Sequence, residues 1–182
     1  MKEKVLFFDI DGTLVDNTYG VYDVPEGVKR ELKRIQNDGH KLFICSGRPK
    51  AMINQQFLDL GFDGYVLYNG GYIEIDGESI FEERMDTELA TQTVDMLEEL
   101  NCDYMIETAH HIYIDKRYKE LYTFFKNLGM EEMFSMDFDR NDVLKRAIKI
   151  EANVTNKDKQ RVSDYLDGEF GTTISIYQHG SD

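Results

Sequence analysis

The sequence predicts an α/β fold: a parallel sheet with crossover helices, followed by a separate α+β segment. Three observations carry this. Nearly continuous apolar runs occur at residues 5–10, 41–45 and 65–68, amphipathic helical stretches lie between them, and the texture changes after Asn69-Gly70-Gly71. Strand, helix, strand, helix and strand with short connections imply parallel strands and right-handed crossovers.

Each element has a local signature. Residues 5–10 (VLFFDI) suit a strand covered on both faces. Pro25 opens a helix to about Asp38, with Val28, Leu32 and Ile35 on one face and Gly39 as its stop. Residues 41–45 (KLFIC) form a second buried strand. Pro49 starts a second helix, with Ile53, Phe57 and Leu60 facing inward and Gly61 ending it. Residues 65–68 (YVLY) form the third strand. YIEI, Asp76-Gly77 and SIFE then read as a β-hairpin, because Asp-Gly supplies the positive φ angles of a tight turn. A helix over 87–100, short strands at YMIE and HIYI, and a helix over 116–128 ended by Gly129 follow. The strand AIKIEA, a helix over 155–166 opened by the pattern Thr155…Asp158, and a closing strand TISIY complete the chain. The expected boundary at residues 82–85 divides it into 1–82 and 83–182.

Composition narrows the function. The 182 residues are slightly more than one domain at roughly 150 residues each. With 41% hydrophobic and 31% charged residues, the chain can build a core, which excludes disordered and fibrous classes. Apolar runs of only a few residues predict no membrane span. Met1-Lys2-Glu3-Lys4 leads straight into a strand rather than a signal peptide. Cys45 and Cys102 cannot form a disulfide framework, which points to a reducing, cytoplasmic location, and Cys45 reads as a small buried hydrophobe. A net charge of −14 repels phosphate backbones and argues against nucleic-acid partners. A small anionic substrate then needs a local positive site or a bound cation.

Three segments carry chemistry. In Phe7-Phe8-Asp9-Ile10-Asp11-Gly12-Thr13, a strand delivers two aspartates to its carboxyl end, where open parallel sheets bind ligands. If the carboxylates face one site ~5 Å apart, their repulsion is about 3 kcal/mol at an effective dielectric of 20. A cation or a proton relieves it, and oxygen ligands of this kind suit Mg²⁺. The Asp11-Gly12-Thr13 turn is expected to aim successive N–H groups at an anion. In Cys45-Ser46-Gly47-Arg48-Pro49, Ser46 offers a hydroxyl, Gly47 close backbone approach and Arg48 a fixed charge, all before a helix N-terminus. Asn69-Gly70-Gly71 follows the third strand on the same rim. Plainer readings stand beside these: Ser46 as a helix N-cap, Arg48 as a surface residue and Asn69 as a turn former.

In that order and spacing, FFDIDGTL, ICSGRP and LYNGGYI resemble the haloacid dehalogenase-like hydrolases, specifically their Cof-type branch with a subclass IIB cap. The resemblance is close over residues 1–82 and rests on element order over 83–182. It implies an incomplete Rossmann-like parallel-sheet core with an α+β substrate-specificity cap. It also implies Mg²⁺-dependent hydrolysis of a small phosphorylated metabolite, such as a sugar phosphate, through an aspartyl-phosphate. On that reading Asp9 is the nucleophile and Asp11 the general acid–base. Mg²⁺ sits on the Asp9 carboxylate and the Asp11 carbonyl, and Gly12, Thr13, Ser46, Gly47, Arg48 and Asn69 line the substrate. The family's Gly-Asp-x-x-Asn-Asp motif does not occur in the sequence. A silent, truncated or degenerate phosphate-binding module is therefore the alternative. A first strand without an outer neighbour would leave the core edge open to self-association.

Other motifs weigh less. A phospho-acceptor receiver needs an aspartate where Asn69 stands, and neither G-x-G-x-x-G nor a P-loop is present. Residues 137–142 (DFDRND) lack the glycine of a metal motif and read as a polar turn capping a short helix. His110-His111, adjacent on a strand, would point to opposite faces rather than share a metal.

Overall fold

A computed structural model describes residues 2–127 and 131–169 of the chain. Its first half is a five-stranded sheet in the order β1-β2-β3-β4-β5. Strands β1 (Val5–Phe8), β2 (Lys41–Cys45) and β3 (Gly64–Leu67) run parallel, and β4 (Tyr72–Ile75) and β5 (Glu78–Glu82) add antiparallel. The crossover from β1 to β2 is helix α1 (Glu26–Asn37), with Pro25 at its N-cap and Gly39 at φ +82° after its end. The β4–β5 turn has Asp76 at φ 50° and Gly77 at φ 82°, the geometry expected of Asp-Gly.

The second crossover departs from the sequence reading. No continuous helix runs from Pro49 to Leu60; a single 3₁₀ turn at Lys50–Met52 is followed by a one-turn helix α2 (Gln55–Leu58). Ile53, at φ −85° and ψ 94°, breaks the run, and Asn54 restarts it in extended conformation. The break is stabilised because Arg48 Nη1 donates to the Met52 carbonyl at 3.4 Å. It still lets Ile53 and Phe57 enter the core, Phe57 being fully buried.

Strand β1 is also not covered on both faces. Among the described residues it pairs only with β2, and Val5 and Phe7 are 55% and 59% exposed. Cys45 is exposed, because the β2 alternation points Leu42 and Ile44 into the core and Cys45 away from it.

From Glu82 the chain passes to a second, four-stranded sheet in the order β8-β7-β6-β9. Helix α3 (Thr87–Glu99) begins where the Asp86 carboxylate accepts the Glu88 and Leu89 amides. Strands β6 (Asp103–Glu107) and β7 (Ile112–Ile114) follow one another directly, and helices α4 (Lys119–Asn127) and α5 (Arg140–Leu144) precede β8 (Phe134–Ser135) and β9 (Lys149–Asn153) respectively. The two-residue β8 has no signature in the sequence. Helix α5 is capped by Asp139, which accepts the Asp142 amide at 2.8 Å, as the polar-turn reading expected. Helix α4 starts three residues later than expected. Helix α6 (Lys159–Glu169) starts four residues late, because Thr155 and Asp158 close a turn with a 2.7 Å side-chain bond before it. His110 and His111 lie in the β6–β7 loop rather than on a strand, and both are exposed. The expected helix stop at Gly129 and the strand TISIY fall outside the described residues.

Two apolar clusters result, one per sheet, and each takes residues from the other half, Ala51 and Ile148 among them. Met52 packs into the cluster of the second sheet and Ala109 into that of the first. Apolar burial of this kind stabilises by about 25 cal/mol per Å².

Candidate active site

Because β1, β2 and β3 are parallel, the residues that follow them collect at one edge of the sheet. Asp9, Ser46 and Tyr68-Asn69 leave their strands side by side, in the register that pairs Phe8 with Ile44 and Cys45 with Val66. The second and third turns are joined by backbone hydrogen bonds: the Asn69 amide donates to the Ser46 carbonyl at 3.3 Å, and the Tyr68 amide to the Arg48 carbonyl at 3.3 Å. This edge is where open α/β sheets place their ligands.

Asp9 is exposed, and one of its carboxylate oxygens accepts the amide of Ile10 at 2.8 Å. Asp11 is gripped by Arg48, Nε to Oδ2 at 2.8 Å and Nη2 to Oδ1 at 2.6 Å. A bidentate fork of this kind fixes orientation as well as charge. Arg48 is itself held on several sides. Its amide donates to Ser46 Oγ at 3.2 Å, Nη1 reaches the Met52 carbonyl, and the guanidinium lies 5.8 Å from the Phe57 ring centroid. Ser46 thus acts as a turn cap in this arrangement, and its side chain is buried.

The Asp11-Gly12-Thr13 turn does not form the expected anion nest. The Gly12 amide donates to the Val15 carbonyl at 2.8 Å and the Thr13 amide to the Ile10 carbonyl at 3.3 Å, so both are spent within the turn. Gly12, at φ +78°, supplies the left-handed conformation that this folding-back requires. The dipole of a full helix behind Arg48 is likewise missing, since the second crossover holds only short turns.

Asn69 meets the Ser46-Gly47 turn. A Cβ on Gly47 would lie 2.8 Å from Asn69 Oδ1, so any side chain there must push the Asn69 amide aside. Asn69 and Tyr68 both take positive φ, 56° and 54°, an arrangement that costs on the order of 1–3 kcal/mol per non-glycine residue. Tyr68 is buried, and its hydroxyl donates to the Thr108 carbonyl at 2.6 Å while accepting the Lys50 amide at 3.3 Å. Burial pushes its phenol well above the usual range, with the Glu107 charge adding to the rise, so the hydroxyl keeps its proton. Nearby, Lys50 pairs with the buried Glu74, which also accepts the Tyr72 hydroxyl at 2.9 Å. The sequence marks Tyr68 only as the end of a strand and carries no signal at Lys50, Met52 or Thr108. The one available signal was a tyrosine directly before Asn-Gly-Gly, and it reads equally well as a last strand residue.

Glu107 is fully buried at the end of β6, with Lys149 Nζ 3.4 Å from Oε1 and no hydrogen-bond partner at Oε2. Burial pushes its carboxyl up to about 8 against the pull of Lys149. For Lys149 burial works downward, and the charges of Glu107 and Glu151 overcome it and raise the ammonium.

The donors available to a divalent cation are hard oxygens. The second Asp9 carboxylate oxygen makes no hydrogen bond among the described residues, and the Asp11 carbonyl accepts none of the loop backbone bonds. No group of three His, Cys, Asp or Glu side chains able to hold a metal occurs among the described residues. One carboxylate and one carbonyl, completed by substrate oxygens and water, match the habits of Mg²⁺.

A parallel-stranded α/β sheet with paired aspartates at one strand end and an arginine turn at the next defines an α/β protein with its ligand rim at the strands' carboxyl edge. The sequence matches the haloacid dehalogenase-like hydrolases over residues 6–182, and the chain belongs to that family. It is 32% identical over 82 residues to YkrA of Bacillus subtilis, named as a candidate phosphatase; this covers 45% of the chain and 31% of that protein. It is 27% identical over 120 residues to phosphatase YwpJ of the same organism, covering 65% of the chain and 41% of that protein. Among solved structures, a sugar phosphatase of subclass IIB shares the fold at a TM-score of 0.70 and 23% identity, over 88% of the chain and 62% of its own. The protein TM0651 of Thermotoga maritima does so at 0.72 and 17%, over 97% of the chain and 65% of its own. The matched stretch spans less than half the length of these curated relatives. No helix among the described residues is long and apolar enough to cross a membrane.

Proposed function

We propose that the chain carries the nucleophile of a Mg²⁺-dependent phosphomonoesterase acting on a small phosphorylated metabolite such as a sugar phosphate. Residues 1–82 are its core and 83–182 its substrate-specificity cap. The observation that carries the reading is the convergence of Asp9, Asp11, Ser46, Gly47, Arg48 and Asn69 on one strand edge, with Arg48 forked onto Asp11. The relatives named as phosphatases support hydrolysis over a silent binding module.

Asp9, exposed at the end of β1, attacks phosphorus and forms an aspartyl-phosphate. Asp11 protonates the oxygen that leaves phosphorus, then takes a proton from the water that attacks the aspartyl-phosphate, which frees Asp9 and inorganic phosphate. In the structure both Asp11 oxygens are held by Arg48, so Asp11 acts once the phosphoryl dianion draws the guanidinium away; its side chain is half exposed, which leaves room to swing. Arg48, Ser46 and Asn69 then hold the phosphoryl oxygens, while Gly47 admits them close to the backbone. The Asp9 carboxylate and the Asp11 carbonyl would hold a Mg²⁺ ion, which would supply charge neutralisation for those oxygens.

The test is phosphate release from p-nitrophenyl phosphate with and without Mg²⁺, comparing the chain with Asp9→Asn. Metal-dependent turnover lost in the variant supports the reading. Equal turnover by both removes Asp9 from its role.

A further inference from the structure

We propose that Tyr68 is a positioning residue for the phosphate site, tying the loop after β6 to the turns that carry Asn69, Gly47 and Arg48. The inference rests on the phosphomonoesterase reading for its kinetic readout, and on geometry alone for the tie itself.

The Tyr68 hydroxyl is a two-sided bridge. It accepts the Lys50 amide at 3.3 Å, in the turn just after Arg48, and donates to the Thr108 carbonyl at 2.6 Å, in the loop between β6 and β7. One hydroxyl therefore joins three segments that are distant in sequence. The backbone of the same residue continues the connection, because its amide donates to the Arg48 carbonyl and its carbonyl accepts the Gly71 amide at 3.2 Å.

What the bridge holds is an unfavourable backbone. Tyr68 and Asn69 are consecutive non-glycine residues at φ 54° and 56°, and bulky side chains rarely adopt that region. Such a conformation persists only where its surroundings over-determine it. It places Asn69 Oδ1 against Gly47, so the position of Asn69 depends on what fixes Tyr68. The contact is sealed by packing: Ala109 from the β6–β7 loop enters the cluster around Tyr68 and Tyr72, and Met52 enters the opposite cluster. Seating of the second sheet is thereby read directly by the turn that faces phosphate.

Phenylalanine at this position keeps the ring and its packing but leaves the Lys50 amide and the Thr108 carbonyl unpaired. In Tyr68→Phe, hydrogen exchange at the Lys50 amide and across residues 107–111 should speed up about tenfold, with α1 and β2 unchanged. If the chain turns over p-nitrophenyl phosphate, kcat should fall about tenfold while KM moves less than about threefold, the mark of lost orientation rather than lost binding. Tyr68→Phe combined with Asn69→Ala should lose no more than Asn69→Ala alone, because Tyr68 works through Asn69.

Unchanged exchange at Lys50 and 107–111, a loss confined to KM, or additive losses in the double variant would each overturn the proposal. A second measurement needs no variant: inorganic phosphate should slow exchange across 107–111 in the unaltered chain, and phosphate binding that leaves those amides untouched also overturns it. A chain with no phosphatase turnover sinks the phosphomonoesterase reading, and the exchange rates at Lys50 and 107–111 still decide the tie.

Discussion

Arg48 holds both carboxylate oxygens of Asp11, through Nε at 2.8 Å and Nη2 at 2.6 Å, across 37 positions of sequence. Lysine presents a point charge rather than a planar fork, so Arg48→Lys should lower kcat/KM on p-nitrophenyl phosphate about tenfold or more. Stability should move little, by about 1 kcal/mol or less, because the Asp11 side chain is 54% exposed and such pairs are screened by water. Steady-state kinetics beside a thermal melt separate the two effects. Equal losses in both would show the pair to be structural.

Gly47 faces Asn69 closely enough that an added methyl group must push the amide aside. The displaced atom is the end of a flexible side chain, so Gly47→Ala should fold with a cost of about 1 kcal/mol or less. Turnover should nevertheless fall about tenfold, because Asn69 and the phosphate approach are both disturbed. Retained turnover in a folded variant would remove Gly47 and Asn69 from the site.

Glu107 gives a pH signature. Its folded value of about 8 lies above its ordinary 4.5, so folding takes up a proton there. The stability it contributes is fully present below about 4.5 and is lost as pH rises through 8. Glu107→Gln removes that dependence, and Lys149 keeps Glu151 at 2.8 Å as a partner. The variant should melt about 5 °C above the unaltered chain at pH 8, with the gap narrowing toward pH 5. Melting curves across this range decide it, and a gap that does not change with pH would refute the burial argument.

Phe7 stands 59% exposed on an edge strand whose outer side has no partner among the described residues. Exposed apolar edges template pairing with other chains. Sedimentation velocity should show concentration-dependent association that Phe7→Lys reduces, with melting temperature changed by less than about 2 °C. Identical sedimentation of the two proteins would clear this edge.

The parallel strands, the first crossover and the Asp-Gly hairpin were all legible in the sequence. Apolar runs, Pro25, Gly39 and Asp76-Gly77 act through local sterics and burial that need no distant partner. The grouping of Asp9, Ser46 and Asn69 was legible for a related reason, since three parallel strands must end on the same edge. Other features are decided by contacts between remote residues. Ile53 breaks a plausible helix because Arg48 can take the freed Met52 carbonyl. Gly12 and Thr13 spend their amides on the fold of their own turn. Arg48 finds Asp11, and Tyr68 finds Thr108 at a separation of 40 residues. The sequence by itself determined the family, the parallel strands of the first sheet and the placing of Asp9, Ser46 and Asn69 just after strands that end on one edge. Only the tertiary structure decided how those side chains are held, because a hydrogen bond is set by where two distant segments meet and not by the pattern of either one.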